Sequence, residues 1–87
     1  MNTLELKEKI LKTLANRRRI MIIQLLKKHE VMNVGELAKE LKLSFRSTSR
    51  HLAQLRAADI LEREQEGLVM NYRLTQPLHT FVRLLVK

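Results

Sequence analysis

Apolar residues recur three and four positions apart through the first half of the chain, which is the spacing of one face of an α-helix. Residues 3–14 show this spacing, with lysine and glutamate between the apolar positions, and predict a first helix. A second helix is predicted over 17–29, because Asn16 is a good N-cap residue. The predicted buried stripes are Leu4, Ile10, Leu11 and Leu14 in the first helix and Ile22, Ile23 and Leu26 in the second.

Two further helices are predicted with almost no chain between them. Asn33 and Glu36 have the spacing of a capping box, with asparagine in place of serine or threonine. The helix that they open ends at Leu41 or Lys42, and Ser44 then caps the next helix. A turn this short between two helices predicts a helix-turn-helix.

The hydrophobic period changes in the last third of the chain, from that of a helix to the alternation of β-strands. Residues 60–64 and 68–74 are predicted as two antiparallel strands, with 65–67 as the hairpin loop. Residues 75–87 predict a last helix with Pro77 in its first turn. The predicted fold is therefore mainly α with a β-hairpin, in the order α-α-α-α-β-β-α.

The fourth predicted helix divides into an apolar face and a polar face. At 100° per residue, Thr48, Leu52 and Leu55 share the inward stripe. The opposite face has no acidic residue, and it suits duplex DNA because arginine bonds bidentately to guanine and small residues admit thymine methyl groups. The residues of this face and of its N-terminal edge are Ser44, Arg46, Ser47, Ser49, Arg50, Ala53, Gln54 and Ala57.

The alternative interpretation is a solvated helix face, on which arginines only keep the protein in solution. The absence of acids and the short preceding turn favour DNA binding. Phe45 falls about 60° from the apolar stripe, and we expect it at the edge of the core rather than inserted into DNA. His51 lies at the other border of the core, where a neutral ring with a local hydrogen bond is expected.

The charge of the chain points to an anionic partner. Lysine and arginine number 17 against 9 acids, a formal charge of +8 on 87 residues, and such a surplus favours a phosphate polymer or an anionic surface. The three aromatic residues are too few for the stacking platforms that bind single strands. A single cytoplasmic domain, residues 1–87, is expected, because signal-peptide and membrane-span patterns are both missing.

The sequence shows no pattern typical of an enzyme or a metal site. Nucleophile–base pairs, paired carboxylates and phosphate loops are all missing, so the chain is not expected to be an enzyme. Cysteine is absent, and the histidines at 29, 51 and 79 lack the spacing of metal ligands. We therefore expect no metal and no cofactor.

The segment "VGELAKELKLSFRSTSRHLAQLRAADIL", followed by "EGLVMNYRL", resembles the winged helix-turn-helix of the ArsR-type repressors of bacteria and archaea. The residues that match the reading helix and the wing of that family are Leu43-Ser44, Ser49-Arg50-His51-Leu52, Glu66-Gly67 and Tyr72-Arg73-Leu74. The resemblance implies a DNA-binding repressor in which the hairpin is the wing. It also implies that the terminal helices, 3–14 and 77–87, form a dimer.

The chain departs from this family at several positions. Thr48 stands where the reading helix of the family has valine, Lys42 replaces the common turn glycine, and Arg17 replaces a proline. The Cys-x-Cys box of the metal sensors would fall near 31–35, where there is no ligand, and the last helix offers only His79. The resemblance therefore implies DNA binding without metal sensing.

The predicted wing is acidic. Glu62, Glu64 and Glu66 supply a third of the 9 acids of the chain, and carboxylates repel a polyanion. Either the wing stays away from the DNA backbone, or Arg63 and Arg73 alone contact it. Cross-strand pairing of these charges is an equally good explanation of the pattern.

Together these features predict a sequence-specific regulator that binds double-stranded DNA, a repressor that occludes a promoter as a homodimer and has no membrane partner. The sequence identifies no effector. A winged helix that binds a protein partner is the alternative, and an RNA-binding winged helix is a third possibility. Residues expected to contact DNA are Ser44, Arg46, Ser47, Ser49, Arg50, Gln54, Arg63 and Arg73. Residues expected in the dimer interface are Leu4, Ile10, Leu11, Leu14, Leu78, Phe81, Val82 and Leu85.

Overall fold

Five helices and a three-stranded antiparallel sheet make up the computed structural model, which describes residues 2–87. The helices are α1 (Thr3–Leu14), α2 (Arg17–His29), α3 (Val34–Leu41), α4 (Phe45–Ala57) and α5 (Thr80–Leu85), and the strands are β1 (Met32–Asn33), β2 (Leu61–Glu66) and β3 (Val69–Leu74). The predicted order of helices and hairpin strands is confirmed, with β1 as an addition. None of these five helices has the length and apolar character that crossing a membrane requires.

Side-chain caps explain where the inner helices begin. The Oδ1 atom of Asn16 accepts a hydrogen bond from a backbone N–H in the first turn of α2 at 3.1 Å. The predicted capping box is confirmed, because Asn33 Oδ1 accepts from the Glu36 N–H at 2.9 Å and Glu36 Oε1 accepts from the Asn33 N–H at 3.0 Å. Ser44 Oγ accepts from the Ser47 N–H at 3.0 Å. Each bond satisfies an N–H that the helix itself leaves unpaired.

The helix-turn-helix prediction is confirmed, since residues 42–44 alone separate α3 from α4. Lys42 ends α3 in the left-handed conformation, with φ 56° and ψ 43°. Glycine adopts this conformation without a steric cost, which explains the glycine that ArsR-type turns commonly have there. The N–H of Leu43 closes the turn by donating to the carbonyl of Ala38 at 3.1 Å.

The sheet has the strand order β1-β3-β2, and both pairs are antiparallel. The sequence does not predict β1, because its two residues are too few to show a period. The predicted hairpin loop, 65–67, is wrong: Glu66 pairs with Val69, so Gly67 and Leu68 form a two-residue loop. Gly67 has a φ of +65°, at the first position of a two-residue loop, where glycine is favoured.

The last helix is shorter than predicted. It has six residues, and Pro77 lies outside it. His79 is the N-cap: its backbone is extended, and its Nδ1 accepts a hydrogen bond from the N–H of Phe81 at 3.1 Å. A side chain that bonds its neighbouring backbone in this way competes with a helix running through the same residues. The predicted start at residue 75 is therefore wrong.

The core lies where α2, α3 and α4 meet each other and the sheet. The predicted inner residues of α2 and α4 are buried, and Leu37 and Leu41 of α3 and Val82 of α5 are buried with them. Each fully buried aliphatic side chain contributes roughly 1.5–3 kcal/mol relative to an exposed one. The apolar stripe of α4 is thereby held against the body of the protein, and its opposite face is left outward. The fully buried side chains are Ile22, Ile23, Leu26, Leu37, Leu41, Thr48, Leu52, Leu55 and Val82.

Candidate nucleic-acid interface

The two faces of α4 are as the sequence predicts. Thr48, Leu52 and Leu55 each have 0% of their surface exposed, and the Thr48 hydroxyl is satisfied by donating to the Ser44 carbonyl at 2.9 Å. The opposite face is exposed and acid-free over the whole helix. Its exposed residues are Arg46, Arg50, Ala53, Gln54 and Ala57, and Ser47 and Ser49 at its borders are half-buried.

The N-terminal end of α4 adds hydrogen-bond donors to this face. Ser44 uses its Oγ as the acceptor of the cap, so the hydroxyl proton remains able to donate. Arg46 is exposed within the first turn of the helix. Backbone N–H groups and the positive end of the helix dipole attract anions there. This end of α4 is suited to a phosphate group.

The sequence predicts Phe45 at the edge of the core. This prediction is wrong, because 65% of the surface of Phe45 is exposed. It is the first residue of α4, and its Cα–Cβ bond tilts toward the N-terminus of the helix. The side chain therefore points away from the turns of α4 that pack on the core. The ring lines a shallow groove of 280 Å³ together with Leu68, Val69 and Met70 of the hairpin. Leu68, at the hairpin tip, is fully exposed.

The acid-free outward face of α4 is called here the reading face, and His51, beside it, connects α4 to α2. Its Nδ1 lies 3.4 Å from an Nη1 of Arg19, and since arginine has only donors, the ring nitrogen is the acceptor. The Nε of Arg19 donates to the Thr13 carbonyl at 2.6 Å, which fixes the guanidinium. Burial lowers the pKa of His51 from its ordinary value of 6.5, and nearby arginine charges, that of Arg19 first, lower it further. The lowered pKa favours the expected neutral ring, and the hydrogen-bond partner of the ring is Arg19 of another helix rather than a neighbour in α4.

The outer face of the wing carries the acids. Cross-strand pairs place Glu62, Glu64 and Glu66 on one face of the hairpin with Arg73. Arg73 Nη2 lies 3.3 Å from Glu64 Oε2, and Glu66 accepts a hydrogen bond from Asn71 at 3.2 Å. One of the three carboxylates is therefore paired with an opposite charge across the strands and a second accepts a cross-strand hydrogen bond, which favours cross-strand pairing as the explanation of the acidic pattern.

The two wing arginines lie on opposite faces. Arg63 pairs with Tyr72 and shares its inner face, and the Nη1 of Arg63 lies 3.4 Å from the phenol oxygen. This face turns toward α4, and a cleft of about 260 Å³ separates the two. Of the two arginines that the sequence assigns to DNA, Arg63 faces the reading helix and Arg73 faces away with the acids.

Arg56 also lines this cleft, although it is not among the residues predicted to contact DNA. It belongs to the last turn of α4 and is half-buried. At about 100° per residue it falls beside the apolar stripe, where the hydrophobic pattern predicts core. The sequence signal that could have identified Arg56 is a charged residue at a position where the helical pattern predicts an apolar one. Ser49 and Ala53 stand on the same wall of the cleft.

Part of the expected dimer interface is already covered within one chain. Ile10, Leu14 and Val82 have 4%, 7% and 1% of their surfaces exposed, because they pack in the core of the protomer. Their apolar spacing reflects the burial of α1 and α5 on the domain itself. Half-buried residues of the expected set are Leu78, Phe81 and Leu85.

The exposed part of that set lies on α1. Leu4 and Leu11 have 76% and 49% of their surfaces exposed, and they are seven residues apart, on one face of the helix. Leu84 of α5, which is not among the residues predicted for the interface, is 63% exposed. These apolar side chains are available to a second chain.

The chain matches known regulators of transcription. The family model described as bacterial regulatory protein, arsR family, matches residues 16–63. The transcriptional repressor PagR of Bacillus anthracis is 35% identical over 75 residues, which are 86% of this chain and 75% of that protein. The transcriptional activator HlyU of Vibrio cholerae is 38% identical over 66 residues, 76% of this chain and 60% of that protein.

Solved structures of PagR, of HlyU and of a third protein, Mb0332, have this fold. The crystal structure of PagR matches with a TM-score of 0.80 and 33% identity over 95% of both chains. HlyU of Vibrio cholerae matches with a TM-score of 0.82 and 31% identity over 98% of this chain and 94% of that one. The homodimeric winged helix-turn-helix DNA-binding domain of Mb0332 from Mycobacterium bovis matches with a TM-score of 0.83 and 27% identity, over 94% and 73%. The winged helix-turn-helix prediction is confirmed.

Proposed function

The chain belongs to the arsR family of bacterial regulatory proteins, and we propose that it is a sequence-specific regulator that binds double-stranded DNA through α4. The family and these relatives are transcription regulators and not enzymes, as the sequence analysis expects. The observation that carries the proposal is the outward face of α4, which is exposed, cationic and without a single acid. A face of this kind can enter a major groove without repelling the phosphates on either side.

The two exposed arginines of α4 have different tasks in this proposal. Arg50 lies one turn into the helix beside the small side chain of Ala53, so it can approach a base edge, and arginine reads guanine with two hydrogen bonds. Arg46 stands at the helix N-terminus with Ser44 and Ser47, where a phosphate is favoured. Arg50 thus specifies the sequence, and Arg46 positions the helix.

The proposed active form is a homodimer. The exposed leucines of α1 and α5 support this, because two chains that cover them would remove apolar surface from water. The similar domain of Mb0332 is homodimeric. Two reading helices placed about one helical turn of DNA apart, ~34 Å, would contact two half-sites. A dimer lying across a promoter in the cytoplasm excludes polymerase, so we assign repression by occlusion.

A second candidate function rests on the apolar groove beside the wing. Phe45, Leu68 and Val69 are all exposed next to the acidic outer face. Exposed apolar side chains rimmed by charge are typical of protein-docking surfaces. A winged helix that binds a protein partner would use this groove and would not need Arg50.

Selection of bound duplexes from a random library tests the proposal directly. Enrichment of one palindromic sequence is expected, and the recovered duplex then serves for the variants. Arg50→Ala should cost about 1–3 kcal/mol on that duplex and lose discrimination at one base position. Arg46→Ala should weaken matched and mismatched duplexes alike and reduce the salt slope by about one unit.

Lys28→Ala is the matched control, because it removes one positive charge from the last turn of α2. It should change neither specificity nor the salt slope. If Arg46→Ala and Arg50→Ala bind every duplex as the wild type does, α4 is not the reading helix. The protein-docking function would then account better for the exposed groove.

A further inference from the structure

We propose that the cleft between α4 and the wing, called here the wing cleft, binds one phosphate of the DNA backbone between Arg56 and Arg63. The polar residues that line the wing cleft are Ser49 and Arg56 of α4 and Arg63 and Tyr72 of the hairpin, and its other lining residues are Val34, Phe45, Ala53 and Met70. The proposal rests on the proposed DNA binding, and to Arg63, which the sequence already assigns to DNA, it adds Arg56 and a phosphate that the two arginines share. Its ligand chemistry is a phosphate monoanion, held by two guanidinium groups from opposite walls.

The charges around the wing cleft lack an internal counter-charge. Among the ion pairs within residues 2–87, none involves Arg56 or Arg63. Within the same described residues, the one side-chain hydrogen bond of Arg63 is to the neutral phenol of Tyr72 at 3.4 Å. The carboxylates of the wing stand on the other face of the hairpin. Two cations that share a cleft repel each other, and an anion between them removes that repulsion.

The dimensions of the wing cleft fit a phosphate and its hydration. Its volume is about 260 Å³, and a water molecule takes about 30 Å³ of liquid volume. Arginine presents a planar fork of donors that matches phosphate oxygens. The Ser49 hydroxyl adds a donor on the same wall, and the small side chain of Ala53 lets a backbone approach.

The position of the wing cleft relates it to the reading face. Ala53 is exposed and borders both surfaces, while Arg50 is exposed and does not line the wing cleft. A helix in the major groove, about 12 Å wide, has a phosphate backbone on each side. The backbone on the wing side therefore runs beside the wing cleft, and this makes DNA the source of the phosphate.

Arg73 provides the matched control. It belongs to the same hairpin, but it faces outward and is paired with Glu64 at 3.3 Å. Arg56→Gln, Arg63→Gln and Arg73→Gln each remove one charge and keep most of the side-chain stem. Arg56→Lys keeps the charge without the fork. Unfolding midpoints of the variants, compared with wild type, establish that each chain is folded.

A methylphosphonate scan of the selected duplex is the test. Replacing one backbone phosphate at a time with the uncharged group should reveal a position that costs wild type about tenfold or more in affinity, since charged hydrogen bonds are lost. The same replacement should cost the Arg56→Gln/Arg63→Gln double variant less than about twofold, because the contact is already gone. Arg73→Gln should show the wild-type cost, and Arg56→Lys an intermediate one.

The proposal is overturned if every methylphosphonate lowers the duplex affinity of the double variant as much as it lowers that of wild type. It is also overturned if Arg73→Gln behaves as the double variant does. Should the wild type bind no duplex, the proposed function fails, and inorganic phosphate then tests the wing cleft by itself. In that titration the side-chain Nε–Hε NMR signals of Arg56 and Arg63 should shift and that of Arg73 should not. An unchanged spectrum at millimolar phosphate would overturn the site.

Discussion

Arg50 and Arg56 lie six residues apart on α4, yet their surroundings differ. Arg50 is exposed on the acid-free face, whereas Arg56 is half-buried in the wing cleft. On the hairpin the same holds for Arg63, which faces α4, and Arg73, which is paired with Glu64. The contacts that an arginine makes here depend on the surface that carries its side chain, and amino-acid composition alone does not give that position.

His51 should make the fold sensitive to acid. Because its pKa is lowered in the folded state, protons bind the unfolded chain more readily, and stability is lost as the pH falls below the ordinary value of 6.5. Between pH 7.5 and pH 5.5 the unfolding midpoint of wild type should fall further than that of His51→Gln. The difference between the two decreases should be less than about 4 °C, because solvent screens the charge of a half-exposed ring. Equal pH dependence of the two proteins would show that His51 does not titrate in this way.

Phe45→Ala should separate stability from DNA binding. The ring is 65% exposed, so the free energy of unfolding should change by no more than about 0.5 kcal/mol. Duplex affinity should fall at least about threefold, because an apolar contact beside the reading face is lost. Leu52→Ala, at a fully buried position, should instead cost about 2–5 kcal/mol of stability. Unaltered duplex affinity of Phe45→Ala would favour protein docking at this groove.

At the scale of elements, the hairpin presents two electrostatic faces. Its outer face has three glutamates and Arg73, and its inner face has Arg63 opposite the reading helix. Such an arrangement favours one approach of DNA, with a backbone in the wing cleft and the outer face turned away from phosphate. In the proposed complex the charges of the wing therefore orient the domain on DNA, in addition to any contact that the wing makes.

Removing the acids of the wing should increase non-specific DNA binding. The triple variant Glu62→Gln/Glu64→Gln/Glu66→Gln removes three repulsive charges, each worth roughly 0.4 kcal/mol at about 10 Å in water. Affinity for an unrelated duplex should rise about five- to tenfold at low salt, and the difference should shrink as salt is added. The control is Glu8→Gln/Glu30→Gln/Glu40→Gln, which removes three exposed acids elsewhere. Equal effects of both triple variants would mean that net charge alone is responsible.

At the scale of the whole molecule, a +8 chain has a reading face on one helix and exposed leucines on the terminal helices. A single reading helix contacts one half-site, and two linked copies gain affinity because the second binds at a high effective concentration. Dimer formation and DNA affinity are therefore coupled in this proposal.

Leu11→Glu should break the dimer and DNA binding together. Wild type should sediment at about twice the chain mass at micromolar concentration, and the variant at the chain mass, because a charge replaces an apolar contact. Affinity for the two-half-site duplex should fall at least about a hundredfold. Lys12→Gln changes the net charge by the same amount at the next, exposed position and should leave both properties intact. A Leu11→Glu variant that remains dimeric would move the interface away from α1.

Local sequence determined α1 to α4 and the reading face. Their starts depend on capping bonds between residues three apart, such as Asn33 with Glu36. The inner and outer positions of α4 depend on a fixed rotation per residue. The resemblance to the ArsR-type family rested on the same local motifs, and the fold confirms it. These features need no knowledge of what packs against the helix.

Tertiary structure decided the rest, and the hairpin shows why. A three-residue loop over 65–67 would place Arg63 and Arg73 on the same face, but the two-residue loop shifts the register and separates them. One residue of slip exchanges the faces of a strand, and the pairing of β1 with β3, almost forty residues away, depends on the closed fold. Whether Arg56 meets Arg63 is decided by these long-range contacts, because a hydrophobic pattern describes one element at a time.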